Sequence, residues 1–259
     1  MRLRSLLAAI AASSLTACGG GTTDAGTPAT PEAFLDAATT ASAVITSNLA
    51  GMLSGSGASL VSAPGNGDPT VGCTFTAGHF LCSGAVGGGL SGTATVTLFA
   101  ANGAAQTAYD PLTTASVDFS TYVFGRTTIG AWDAVVGRHR QLVETGLAGI
   151  ETTTTWNGTG LDTLQVVDST DGPSRSYTVF STVTVTSVVA PSPGSDGQWP
   201  VSGTITQQLV MAATSGESNG LTFRLTASVT FNGTAMVPLI VGNRTFQLDL
   251  GSGVVRETG

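Results

Sequence analysis

The 259-residue chain contains no lysine; its nine basic residues are all arginine and stand against sixteen acids, for a formal net charge of −7. Nucleic-acid binding needs Lys and Arg clustered against phosphates, so no nucleic-acid partner is expected. Charged residues make up 10% of the chain, against about 25% in an ordinary soluble domain. The solubilising surface therefore falls to Thr, Ser, Asn, Gln and Gly. Histidine occurs only at His79 and His139, which leaves a serine or cysteine triad few bases to use. HExxH helix and P-loop are missing, and the strings GxSxG at 216–220 and GxGxxG at 87–92 each run into a period-two segment rather than a helix. No catalytic residue, cofactor or metal site is assigned. Apolar runs are short as well: the one near the N-terminus, Leu6 to Ala12, has seven residues where a bilayer-crossing helix needs roughly 20.

That N-terminal run has a different meaning. Arg2 and Arg4 precede Leu6 to Ala12, and Ser13, Ser14 and Ala17 follow as small residues, the order of an export signal. Leu15, Thr16, Ala17 and Cys18 then resemble the lipobox of bacterial lipoprotein precursors. The resemblance is confined to this N-terminal stretch. It implies a signal peptide over 1–17, cleavage before Cys18, a diacylglycerol on the Cys18 sulfur and acylation of the freed amine. Two or more acyl chains hold a protein at a membrane where one does so only marginally. Gly19 stands where lipoproteins retained in the inner membrane often carry aspartate. The resemblance thus implies a lipid-anchored protein of the bacterial cell envelope, in the outer membrane rather than the inner. Residues 18–30, rich in Gly and Thr, read as a lipidated flexible tether, with a reach of roughly 40 Å when extended. Residues 31–259 read as one β-rich domain.

Cys73 and Cys82 bracket CTFTAGHFLC, a hairpin pattern turning at Ala77 and Gly78. A two-residue loop opposes Thr76 to His79, Phe75 to Phe80, Thr74 to Leu81 and Cys73 to Cys82. The cysteines then fall at a non-hydrogen-bonded position, where Cα atoms lie about 4.5 Å apart, within disulfide range. A cross-strand disulfide beside an aromatic pair is expected, worth about 2–3 kcal/mol by loop entropy. A free dithiol and a zinc site are the alternatives; zinc wants four ligands, and His79 points to the other face.

Residues 31–53 form the clearest helix. Thr30 can cap it, Pro31 suits its first position, and Phe34, Ala38, Ala41, Ile45, Leu49 and Met52 recur at spacings of three and four. From about residue 58 to 250 the chain turns to period two, rich in Thr and Val, notably at 92–100, 116–124, 176–189, 203–212 and 221–231. Asn-Gly pairs at 66, 102, 157, 219 and 232 and Gly-Asn at 242 supply hairpin turns. The fold class is mainly β: an antiparallel meander forming a curved sheet, half-barrel or sandwich, with one N-terminal amphipathic helix packed on it. Residues 234–241 are apolar on both faces and contain Pro238. They read as a strand covered on both sides, with a bulge or ladder gap at the proline. Residues 131–146 fit helix and strand equally, Gly137 weakening the helix.

Candidate sites are few. If 131–146 is extended, Arg138 and Arg140 share one face and form a candidate anion site, against a bland reading in which they are solvated or paired with acids. Asp162, Asp168 and Asp171 offer oxygen ligands to calcium, at a spacing that matches no calcium loop, and Asp171-Gly172 is an ordinary turn signal. Trp132, Trp156 and Trp199 can line a cavity or simply pack. The expected role is a binding or carrier module for an apolar or amphipathic ligand, because a curved sheet with one helix can enclose one. The alternative is a structural or surface-interaction lipoprotein meeting another envelope protein, since lysine, a common guard of sheet edges, is missing. An enzyme ranks third, to be revived by a pocket where His139 or an acid pair converges with arginine.

Overall fold

A computed structural model of the chain describes residues 29–53, 71–129, 132–149, 151–168, 174–192 and 197–258. The expected signal peptide, Cys18 and the tether up to residue 28 lie outside the described residues, as do Asp171 and the Asn-Gly pair at 66.

One helix, α1 (Pro31–Leu53), precedes the sheet. Its start is capped as expected, with the Ala33 amide donating to Thr30 Oγ1 at 3.1 Å. Strands β1 (Val71–Thr76), β2 (His79–Gly87), β3 (Leu90–Ala100) and the two-residue β4 (Ala105–Gln106) follow. Four long strands come next: β5 (Thr114–Ile129), β6 (Trp132–Thr145), β7 (Thr153–Asp168) and β8 (Arg175–Pro191). The chain ends with β9 (Ser202–Ser215), β10 (Thr222–Thr230), β11 (Met236–Val241), β12 (Arg244–Asp249) and β13 (Val255–Glu257). All thirteen belong to one antiparallel, sequential, open sheet, β4 pairing beside β3; the sheet does not close into a barrel.

Alternation sets the two faces. Inward side chains such as Ile205, Leu209, Met211, Phe223, Leu239, Phe246 and Leu248 are fully buried. Helix α1 packs on this inner face against β5 and β8–β13. Its own buried stripe comprises Ala37, Ala38, Ala41, Val44, Ile45, Leu49 and Met52. Gln207 of β9 donates from Nε2 to the Ala41 carbonyl at 3.0 Å, and Ser42 Oγ donates to the Gly253 carbonyl at 2.7 Å. The outward positions of β8–β10 are largely Thr, Ser and Gln, the surface expected of a chain poor in charge.

The hairpin at 73–82 forms in the expected register, turning at Ala77 (φ 49°) and Gly78 (φ 86°). Cys73 and Cys82 form a disulfide with Cα atoms 4.0 Å apart, and the Phe75 and Phe80 rings lie 4.9 Å apart on the same face.

Three local expectations change. Residues 132–145 form a strand, because their even-numbered side chains face the helix-covered side in line with those of β7. Asn157-Gly158 is not a turn but a bulge within β7, where the register with β8 shifts and Asn157 Oδ1 accepts from the Ser187 amide at 2.8 Å. Gly158 (φ 148°) is required there: a Cβ would lie 2.1 Å from the Gln141 carbonyl oxygen. The connection at 231–235 is longer than two residues, with Asn232 Oδ1 accepting from the Thr234 amide. As a result β11 begins at Met236 and is covered on one side only: Val237, Leu239 and Val241 are buried while Met236 and Ile240 are exposed. The ladder gap at the proline is present, since β10 pairs with β11 only over Leu239–Val241, leaving Pro238 outside it.

Candidate functional site

Arg138 and Arg140 alternate along β6 and both face inward, toward α1. Register places Asp162 of β7 directly opposite Arg138 and Gly160 opposite Arg140. The missing side chain at Gly160 matters, because a Cβ there would lie 2.5 Å from Arg140 Cδ. Arg140 lies across that space with all five N–H groups engaged. Nη2 donates to both Asp162 oxygens at 3.0 and 2.9 Å, Nε to Asn48 Oδ1 at 2.8 Å, and Nη1 to the His139 and Leu161 carbonyls at 2.8 and 3.2 Å. Arg138 Nε donates to Asp162 Oδ1 at 2.8 Å and its Nη1 to Ser47 Oγ of the helix. Burial pulls the Arg140 guanidinium below its usual value while Asp162 acts the other way. The protein's own carboxylate thus occupies the position an external anion would take. The charge holds the C-terminal half of α1 against the sheet.

A second polar cluster holds the other end of the helix. Tyr177 donates to Asp36 Oδ2 at 2.6 Å, and Arg175 pairs with Glu32, Asp36 and Asp168. Arg175 also lies over the Trp132 ring, which stacks on Tyr177 with centroids 6.1 Å apart. Burial raises Asp36 to about 6, against the Tyr177 hydrogen bond and Arg175. Glu144, buried at the far end of β6 beside Thr154, is raised to about 7 by burial. Of the tryptophans, Trp132 and Trp156 pack in the core, Trp156 stacked on Phe119 at 5.5 Å, and Trp199 is partly buried against it. Asp162 and Asp168 do not converge: Asp162 serves Arg138 and Arg140, and Asp168 serves Arg175. Among the described residues no group of three or more His, Cys, Asp or Glu is placed to hold a metal ion.

His139 faces outward, on the side of β6 opposite Arg138 and Arg140. Its Nε2 lies 3.5 Å from Ser120 Oγ. Both residues sit mid-strand between paired neighbours, where the backbone N–H groups serve the ladder and do not form an oxyanion hole.

What the outer face does offer is a groove of about 400 Å³ over β5, β6 and β7. Its floor is Gly137. Tyr122 of β5 and Leu161 of β7 flank His139 in one cross-strand row, and Val135, Thr163 and Gln165 complete the walls. The Tyr122 and Phe124 rings stack with centroids 5.5 Å apart. Tyr122 is 48% exposed, Leu161 57% and, on β8 opposite Thr163, Phe180 54%. Single exposed apolar residues are normal, but a contiguous patch marks an interaction surface. Composition and spacing did not reveal this site, because its residues come from three strands and meet only through register. Compared with protein-family models, curated proteins and solved structures, the chain matches none of them.

Proposed function

We propose that this protein is a lipid-anchored binding module of the bacterial cell envelope, without enzymatic activity, that presents its outer-face groove to an amphipathic ligand. The observation that carries the reading is the groove on Gly137, lined by apolar Tyr122, Val135 and Leu161 together with polar His139, Thr163 and Gln165, on a face otherwise rich in hydroxyl and amide side chains. Helix α1 fills the inner face over β8–β13, so a ligand held there would have to displace a packed core. Anchoring through Cys18 to the outer membrane is the reading that the lipobox resemblance supports. Native mass spectrometry of gently purified protein tests the binding role. A co-purifying small molecule that is lost in Gly137→Leu supports it, and its absence from both proteins refutes it. A protein partner is the second reading, favoured by Phe180, which carries the exposed apolar surface beyond the groove. Crosslinking in cells from position 180 would recover that partner.

A further inference from the structure

Resting on the groove reading above, we infer that its ligand is a neutral sugar ring of an envelope glycan. Three properties of the groove converge on that chemistry. First, the lining contains no lysine, arginine, aspartate or glutamate, so a phosphate head group or a fatty-acid carboxylate finds no counter-charge in it. The inward-facing arginines beneath are already committed to Asp162. Second, one wall is aromatic. Tyr122 lines it, and the π-face of such a ring carries partial negative charge, while the axial C–H groups of a pyranose carry the opposite sign. Third, the groove is open to solvent, and four of its lining side chains, Tyr122, Thr163, Gln165 and His139, carry hydrogen-bonding groups.

An acyl chain in such a groove would leave half its surface in water, where burial contributes nothing. A sugar ring is itself two-sided, with one apolar face and a rim of hydroxyls, and needs only half-burial. An extended peptide is disfavoured for another reason. β5, β6 and β7 are each paired on both sides, so they have no free backbone edge for strand addition. Gly137 sets the depth of the floor. A Cβ there would stand 3.9 Å from both Tyr122 Oη and the Thr163 carbonyl oxygen, which is ordinary contact. A small substitution is therefore tolerated by the fold, and a large side chain fills the groove.

Isothermal titration of the mature lipidated chain in a zwitterionic detergent, with chitotetraose, cellotetraose and maltotetraose as probes, tests the assignment. The expected result is saturable binding of at least one tetrasaccharide, about tenfold weaker in Tyr122→Ala and lost in Gly137→Leu. Leu81→Ala, on the β1–β2 hairpin, leaves it unchanged. Should Gly137→Leu not fold, Leu161→Ala gives a second reading of the same wall. Failure of all three probes overturns the sugar assignment. If a co-purifying molecule without sugar is then lost in Gly137→Leu, the groove reading stands; if the groove variants change neither measurement, both fall.

Discussion

The helix-covered half of the sheet and the β1–β2 hairpin solve the same problem by different means. Beneath α1, strands β8–β12 bury their inward side chains completely, Phe223, Phe246, Leu209 and Leu239 among them. At the hairpin, Phe75 is 40% exposed on one face and Leu81 45% on the other. Burial of apolar surface, at about 25 cal/mol per Å², holds the first region. β1 is an edge strand, paired only with β2, and the Cys73–Cys82 bond ties it to the buried Cys82. A covalent link is thus placed at an edge where packing is thin.

Core truncation should break this contrast most visibly. Phe246→Ala, under the helix, is expected to cost about 3–5 kcal/mol, whereas Leu81→Ala should stay within about 0.5 kcal/mol; urea midpoints measure both. Asp162→Ala comes next, at about 3–5 kcal/mol, because it strands Arg138 and Arg140 without a counter-charge. Hydrogen exchange should show the loss spreading into the C-terminal half of α1. If Asp162→Ala left that half as protected as before, the arginines would not be what fixes the helix.

Stability should also fall as pH rises. Asp36 moves from 3.8 to about 6 and Glu144 from 4.5 to about 7. Both therefore keep protons in the folded chain at pH values where the unfolded chain has released them. Stability linked to these groups is complete below about pH 4 and is lost progressively up to about pH 7. Glu144→Gln should flatten the upper part of that profile and raise stability at pH 8 by roughly 3 kcal/mol, read from thermal unfolding across the pH range. The Cys73→Ser, Cys82→Ser double variant should cost about 2–3 kcal/mol, with exchange protection lost at β1 and β2 and little changed at β9–β12. Ala77→Gly gives the smallest effect, a gain of about 0.5 kcal/mol, since Ala77 holds a positive φ that glycine adopts freely.

Much of the architecture was legible because its physics is local. Period-two alternation located β3, β5, β8, β9 and β10, the Thr30–Pro31 start located α1, and the CTFTAGHFLC spacing placed the disulfide pair. β6 was not legible because its inward positions mix Trp132, Ala134 and Val136 with Arg138, Arg140 and Glu144. A strand that buries charges against a partner's Asp162 loses the alternation that identifies strands. Asn157-Gly158 misled for a related reason: positive φ serves a bulge as well as a turn, and only the neighbouring strand decides between them. Arg138 and Arg140 could be placed on one face from spacing alone, but their partners Asn48 and Asp162 lie far off in sequence. The groove left only a faint trace, aromatic and aliphatic residues at outward positions where the rest of the sheet carries Thr.

Whether ligand meets the outer face or the inner one is the central point, and a photo-crosslinking amino acid placed in turn at position 122 and at position 80 tests it directly. Position 122 lies on the groove wall and position 80 on the inward-facing side of the β1–β2 hairpin. Irradiation in cells followed by mass measurement of the purified chain should give a small-molecule adduct from position 122 and none from position 80. An adduct from position 80 alone would contradict the account and return the ligand to the inner face.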